Sequence, residues 1–310
     1  MLARILALAT NAYREAVRAR VLYGLFALAL ATCAYAVVVA GLSIDQQERV
    51  VSDVGVASMS LYGVLVAIVL GATSLHRELE LKTIFPILAR PVRRHEYVVG
   101  KYFGTVLTLI VFLATDAAAL LGILALEAGQ KAWLVGTAAL LLVLILGVLL
   151  VRAKYSRVFV LIPWSLAAAL AMALLSAPAG PDRRVVIAGA VLALCESAIV
   201  ASLATLFSSF SSPFLTAIFT FGVFVVGRSA DTLAHLPARQ FGEAVRSTGK
   251  VLAHVFPNLH VYVPPRPLLL GDLPETPVWS FVAQASLQAV FYSAVALVLA
   301  SLFFRKRDFT

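Results

Sequence analysis

Two acidic side chains, Asp116 and Glu196, fall inside otherwise apolar runs, and their type and position could do chemistry. A charged carboxylate at the centre of a bilayer costs ~2.5–3.5 kcal/mol on insertion scales, so each acid must face other helices or take up a proton. One reading is a proton or substrate relay. The other is an interhelical hydrogen bond, with Ser197, Ser202 or Thr115 as nearby partners. No Lys or Arg accompanies the two acids within the runs, and two acids make a poor relay, so the hydrogen-bonding reading is preferred. His235, His254 and His260 are spaced by 19 and 6 residues, which matches no compact metal-ligand motif. Cys33 and Cys195 both lie in apolar runs and read as free buried thiols. The pair Gly100-Lys101 has His95 where a phosphate loop needs its first glycine and Tyr102 where it needs Ser or Thr. Neither nucleotide hydrolysis, a bound metal nor any other enzymatic activity is therefore expected of this chain.

The elements that must position these residues are membrane helices. Hydrophobic residues make up 61% of the 310, charged residues 13%, and the mean hydropathy is +0.95. Runs of about 20 apolar residues recur, each long enough to cross ~30 Å of hydrocarbon. Eight such runs are read, near residues 21–42, 56–75, 102–126, 132–151, 158–177, 185–207, 214–227 and 278–304. The expected fold is an all-α polytopic bundle forming one permease-sized domain over 1–310. Sixteen of the 25 Lys and Arg fall on the side that holds both termini, so that side is expected to be cytoplasmic. Trp133, Trp164 and Trp279 lie near run ends, as an aromatic belt requires. The net charge of +9 is a topology signal; no basic groove with aromatics suggests nucleic acid.

Residues 1–20 place Leu2, Ile5, Leu6, Ala9, Tyr13 and Val17 at helical spacing, with Arg4, Asn11, Arg14 and Arg18 elsewhere on the wheel. This predicts an amphipathic helix lying on the cytoplasmic membrane surface. The segment 228–277 reads as a hydrophilic excursion on the opposite side. Within it Phe241, Val245, Leu252, Val255 and Phe256 share one face of a second amphipathic stretch, and Pro257, Pro264, Pro265 and Pro267 interrupt regular helix afterwards.

The connector at residues 76–101 is the longest polar interval between two apolar runs on the basic side. Glu78, Glu80 and Lys82 come first, then an apolar turn, a stop at Pro91 and a basic cluster of Arg90, Arg93 and Arg94. Glu96 follows at a fresh helix start. Such a composition predicts a stiff elbow that something outside the membrane can push.

Glu78-Leu79-Glu80-x-Lys82-Thr83-Ile84, Arg90-Pro91-Val92-x-Arg94-x-Glu96-Tyr97 and Gly100-Lys101-Tyr102-x-Gly104 together resemble the cytoplasmic loop of ABC type-2 transporter permeases. The resemblance extends to Arg14-Glu15-Ala16-Val17-Arg18-x-Arg20, to Leu206-Phe207-Ser208-Ser209-Phe210-Ser211-Ser212-Pro213, to Pro257-Asn258-Leu259 and to Phe304-Arg305-Lys306-Arg307-Asp308-Phe309. It is nearest the branch that includes permeases for multicopper-enzyme and nitrous-oxide-reductase maturation. Members of that branch resemble a six-span bundle, which makes residues 132–177 an expected two-span insertion.

The resemblance implies a permease subunit of an exporter in a bacterial inner membrane. It would be paired with a second permease copy, as a homodimer or a mixed pair, and driven by a separate ATP-binding subunit that holds the ATP and Mg. The connector would be the coupling helix. Glu78, Glu80, Lys82, Arg90, Arg93, Arg94 and Glu96 would set its register on the ATPase. Two alternatives stand beside this: a proton-coupled secondary transporter working through Asp116 and Glu196, and a non-transporting membrane scaffold worked by an ATPase.

Overall fold

The computed structural model describes residues 2–43, 46–80, 93–153, 157–235, 243, 246–251, 256–272 and 277–306, with 74–80 and 305–306 as backbone only. Lys82 and Arg90 lie outside the described residues, as do Phe241, Val245, Leu252 and Val255 of the predicted amphipathic face. Among the described residues every regular element is helical. The main ones are α1 (Leu2–Val17), α2 (Arg20–Ala40), α3 (Gln47–Glu80), α4 (Arg94–Glu127), α5 (Ala132–Arg152), α6 (Leu161–Leu175), α7 (Pro181–Ser208), α8 (Pro213–Arg228) and α9 (Val278–Lys306).

Seven of these stretches are long and apolar enough to cross a membrane: α2, α3, α4, α5, α7, α9, and α6 together with the 3-10 turn Arg157–Val160 that leads into it. Their surroundings identify the solvent. α5 is apolar on every side, yet Val135 is its one buried residue, and Leu140, Leu141, Val143, Leu144 and Val148 are exposed. A helix that is hydrophobic all round and unburied by protein needs lipid around it. The chain is an all-α polytopic membrane protein.

The eighth expected run behaves differently. α8 has 16 residues, so it rises about 24 Å and falls short of the ~30 Å hydrocarbon core. Pro213 at its first turn starts it cleanly, and it ends on Arg228 beside the middle of α7. The chain that follows then folds back into the bundle. Leu259, Tyr262, Leu268 and Leu269 are buried, and the Tyr262 hydroxyl donates to the Ala285 carbonyl of α9 at 3.1 Å. Where the prolines predict no regular helix, a short one, Arg266–Leu270, forms with Pro267 in its first turn, a position that needs no N–H donor; Val263 is exposed, whereas the four buried side chains join the core.

The centre of the molecule is the packing of α3 on α7. It is close because small residues meet: a Cβ on Gly71 would lie 2.4 Å from the Ala204 Cβ. The same device seats α1 on α4. A Cβ on Gly104 would lie 2.5 Å from the Ala12 Cβ and 2.7 Å from the Ala9 carbonyl oxygen, so only glycine admits this approach. α1 buries Ala9, Ala12, Tyr13, Ala16 and Val17, one helical face, while Leu2 and Leu6 stay exposed. α4, α5, α6 and α7 are consecutive, which leaves α5 and α6 as a hairpin flanking α4, and the Trp164 indole nitrogen ties α6 to the Leu142 carbonyl at 2.9 Å.

Candidate functional site

Two sites stand out, one inside the bundle and one at the root of the connector. Inside, Glu196 is fully buried on α7. Its carboxylate accepts from the Ser60 hydroxyl of α3 at 2.6 Å and pairs with the Arg228 guanidinium at the end of α8. Arg228 also donates to the Ser60 oxygen at 3.1 Å. Three helices thus converge on one carboxylate. Arg228 occupies the last residue of α8, where the helix dipole favours a cation. The Glu196 partners come from other helices; Ser197, Ser202 and Thr115, the neighbours considered from sequence, do not supply them. Ser202 and Thr115 instead donate to carbonyls of their own helices.

A second charged knot lies towards the start of α3 and of α7. Arg266 pairs with Asp53 and with Asp182, and donates to the Ser52 hydroxyl at 3.1 Å. Between the two arginines sits a cavity of about 210 Å³ whose lining includes Asp53, Ser60, Gly189, Arg228, Tyr262 and Arg266. Burial pushes the Tyr262 phenol above its ordinary range, so it serves as a neutral donor at the cavity wall. Each arginine is matched by carboxylates already in place, so the arrangement fastens the folded-back segment and the end of α8 onto α3 and α7.

Asp116 on α4 is also fully buried and faces the bundle. One carboxylate oxygen accepts from the Cys33 thiol of α2 at 3.5 Å, and the other has no hydrogen-bond partner among the described residues. The structure does not bring Asp116 and Glu196 into contact: the first looks towards α2, the second towards α3 and α8. Among the described residues no group of three metal-ligating side chains occurs.

The second site is where the connector re-enters the bundle. Arg93 is exposed and its backbone N–H donates to the Glu96 carboxylate at 3.0 Å, closing the first turn of α4. Glu96 itself is buried at 2% exposure, with the Arg4 guanidinium of α1 3.8 Å away. Arg94 donates to the Phe304 carbonyl of α9 at 3.3 Å, and the Tyr97 ring stacks on the Phe304 ring with centroids 5.9 Å apart. One turn on, buried Lys101 binds Glu15 of α1 at 3.1 Å. The connector's return end is therefore bolted to α1 and α9. Glu78 and Glu80 lie on the last turn of α3, at the other end of the connector.

Arg228, Arg266, Ser60 and Lys101 went unread in the sequence as site residues. The signal for Arg228 was the length of the preceding apolar run, too short to deliver it to the far surface; the other three carried none. The comparison with curated proteins finds no match. The sequence profile described as ABC-2 family transporter protein matches residues 6–171, from α1 through α6 and more than half of the chain. This chain belongs to the ABC-2 transporter family, as a membrane subunit.

Proposed function

We propose that the chain is the gate of an ATP-driven exporter, moved by a separate ATP-binding subunit that grips the connector 76–101. The observation that carries the reading is the fastening of the connector's return end. Arg93, Arg94, Glu96 and Tyr97 tie it to α1 and α9 as well as to α4, so a push on the connector enters three helices at once. A motor outside the membrane can do work only through such a stiff attachment. ATP and Mg belong to the partner subunit. Glu78, Glu80, Lys82, Arg90, Arg93 and Arg94 form the docking surface, and Glu96 holds that surface's root.

The Lys and Arg excess supports the connector face as the cytoplasmic one, and the family resemblance implies a bacterial inner membrane. Two permease copies pair, and the apolar spans suit a hydrophobic or amphipathic cargo. A carrier working through Asp116 and Glu196 is the weaker reading, since Arg228 already neutralises Glu196 and the two acids face different helices.

The test is the double charge reversal Glu78→Lys with Glu80→Lys, in chain co-expressed with its ATPase. Expected is a folded, membrane-inserted protein that no longer retains the ATPase on purification and shows no cargo-dependent ATP hydrolysis. Unchanged assembly and activity would remove the connector from its role.

A further inference from the structure

Away from the polar cluster, a groove of about 350 Å³ runs between α4, α6 and α7. Alanines make up much of its lining, Ala114 and Ala117 from α4, Ala169 and Ala173 from α6, and Ala190 from α7. Ile187, Ala190, Val191 and Leu194 share one face of α7, half a turn of the wheel from Glu196. No polar side chain lines it. A groove of this kind on three membrane-crossing helices excludes water, so its natural filling is hydrocarbon.

Its mouth carries a charge. Arg183 stands four residues before Ile187 on the same face of α7, at the end of the helix where the chain leaves the membrane. Its guanidinium donates to the Ala173 carbonyl, on a groove-lining residue, through a long contact of 3.5 Å. It makes no ion pair with any carboxylate among the described residues, unlike Arg228 and Arg266. The span from Ile187 to Leu194 rises about 10 Å, two thirds of one ~15 Å leaflet. An arginine at headgroup depth above an apolar slot that runs most of a leaflet matches a phosphate above an acyl chain.

We infer that this groove holds one acyl chain of an anionic glycerophospholipid from the leaflet opposite the connector, with Arg183 on the headgroup phosphate. The bound lipid fills the gap between the α5–α6 hairpin and the rest of the bundle and so seats that hairpin. It is a resident of the fold, separate from any cargo path through the polar cluster.

The experiment uses the full chain in vesicles of phosphatidylcholine containing a minor share of phosphatidylglycerol that carries a photoactivatable group on its acyl chain. Cross-linked peptides are mapped by mass spectrometry, and labelling of α5, whose Leu140, Leu144 and Val148 are exposed, gives the bulk-lipid reference. Expected is a clear excess of label on the α6 and α7 groove residues over α5. Arg183→Gln should reduce the excess about tenfold, the value of one charge-assisted hydrogen bond. Ala190→Phe should displace the label by filling the slot; Arg183→Gln, near the surface, tests the same claim should the phenylalanine disturb folding. Equal labelling of groove and α5 would overturn the inference, as would an excess indifferent to Arg183→Gln. So would a disulfide between two copies at Leu170→Cys that shuts the label out, which would mark the groove as an interface between protomers.

Discussion

At the scale of single residues, Glu196 and Arg228 depend on each other. Breaking a buried ion pair by removing one partner costs about 3–5 kcal/mol, because the charge left behind has lost its water as well as its partner. Arg228→Ala should therefore lower the thermal midpoint in detergent markedly, and Glu196→Gln combined with Arg228→Met should recover most of the loss. A double variant no better than the single would show that the pair is incidental. Tyr13 makes a quieter prediction. Burial holds its phenol up at about 12 against an ordinary 10.0, and its hydroxyl donates to the Val158 carbonyl at 2.9 Å. The unfolded chain loses that proton first as pH rises, so stability from this contact is intact below pH 10 and falls between 10 and 12. Unfolding midpoints measured across that range should decline less in Tyr13→Phe than in the parent protein. Of these residues, Glu196 announced itself by being acidic in an apolar run. Arg228 did not, because its partner is 32 positions away and Ser60 is 136 positions from Glu196. No periodicity reports contacts of that range.

At the scale of elements, the bundle is held by close approaches of small residues more than by polar contacts. Gly71→Ala puts a methyl against Ala204 at a separation real side chains do not adopt, so α3 and α7 must part. Overpacking of this kind costs roughly 1–3 kcal/mol. Ala204→Gly on the same chain should restore the parent midpoint, and failure of that rescue would mean the contact does not govern the packing. Helix positions were legible because apolar runs of crossing length leave few other folds. The face expected on α1 divides: Ala9, Tyr13 and Val17 are buried in the bundle, while Leu2 and Leu6 are exposed. Depth was not legible. The run ending at residue 227 resembles a span in composition, and what makes α8 stop beside the middle of α7 is the Glu196 carboxylate and the buried Leu259 segment, both remote in sequence. The prolines around 257–267 suggested an irregular surface excursion. The same prolines serve a compact fold-back whose Leu259, Tyr262, Leu268 and Leu269 complete the core.

At the scale of the whole molecule, the lever reading makes docking and transmission separable, because it assigns them to different residues. Glu78 and Glu80 end α3 on the outgoing side of the connector, whereas Glu96 is buried on the return side. Replacing Glu96 with alanine removes the acceptor that closes the first turn of α4 and releases Arg4 of α1. The residues proposed for docking, Glu78 and Glu80, are left unchanged. Under the lever reading, Glu96→Ala should leave the ATPase bound and hydrolysing while cargo movement per ATP falls, since a loosened root yields where a fastened one pushes. The double reversal at Glu78 and Glu80 should instead lose the ATPase altogether. Retention of the partner on affinity purification, together with the ratio of cargo moved to ATP spent in sealed vesicles, distinguishes the two. If Glu96→Ala releases the partner as completely as the double reversal does, the root is part of the docking surface, and the connector works as a patch rather than as a lever.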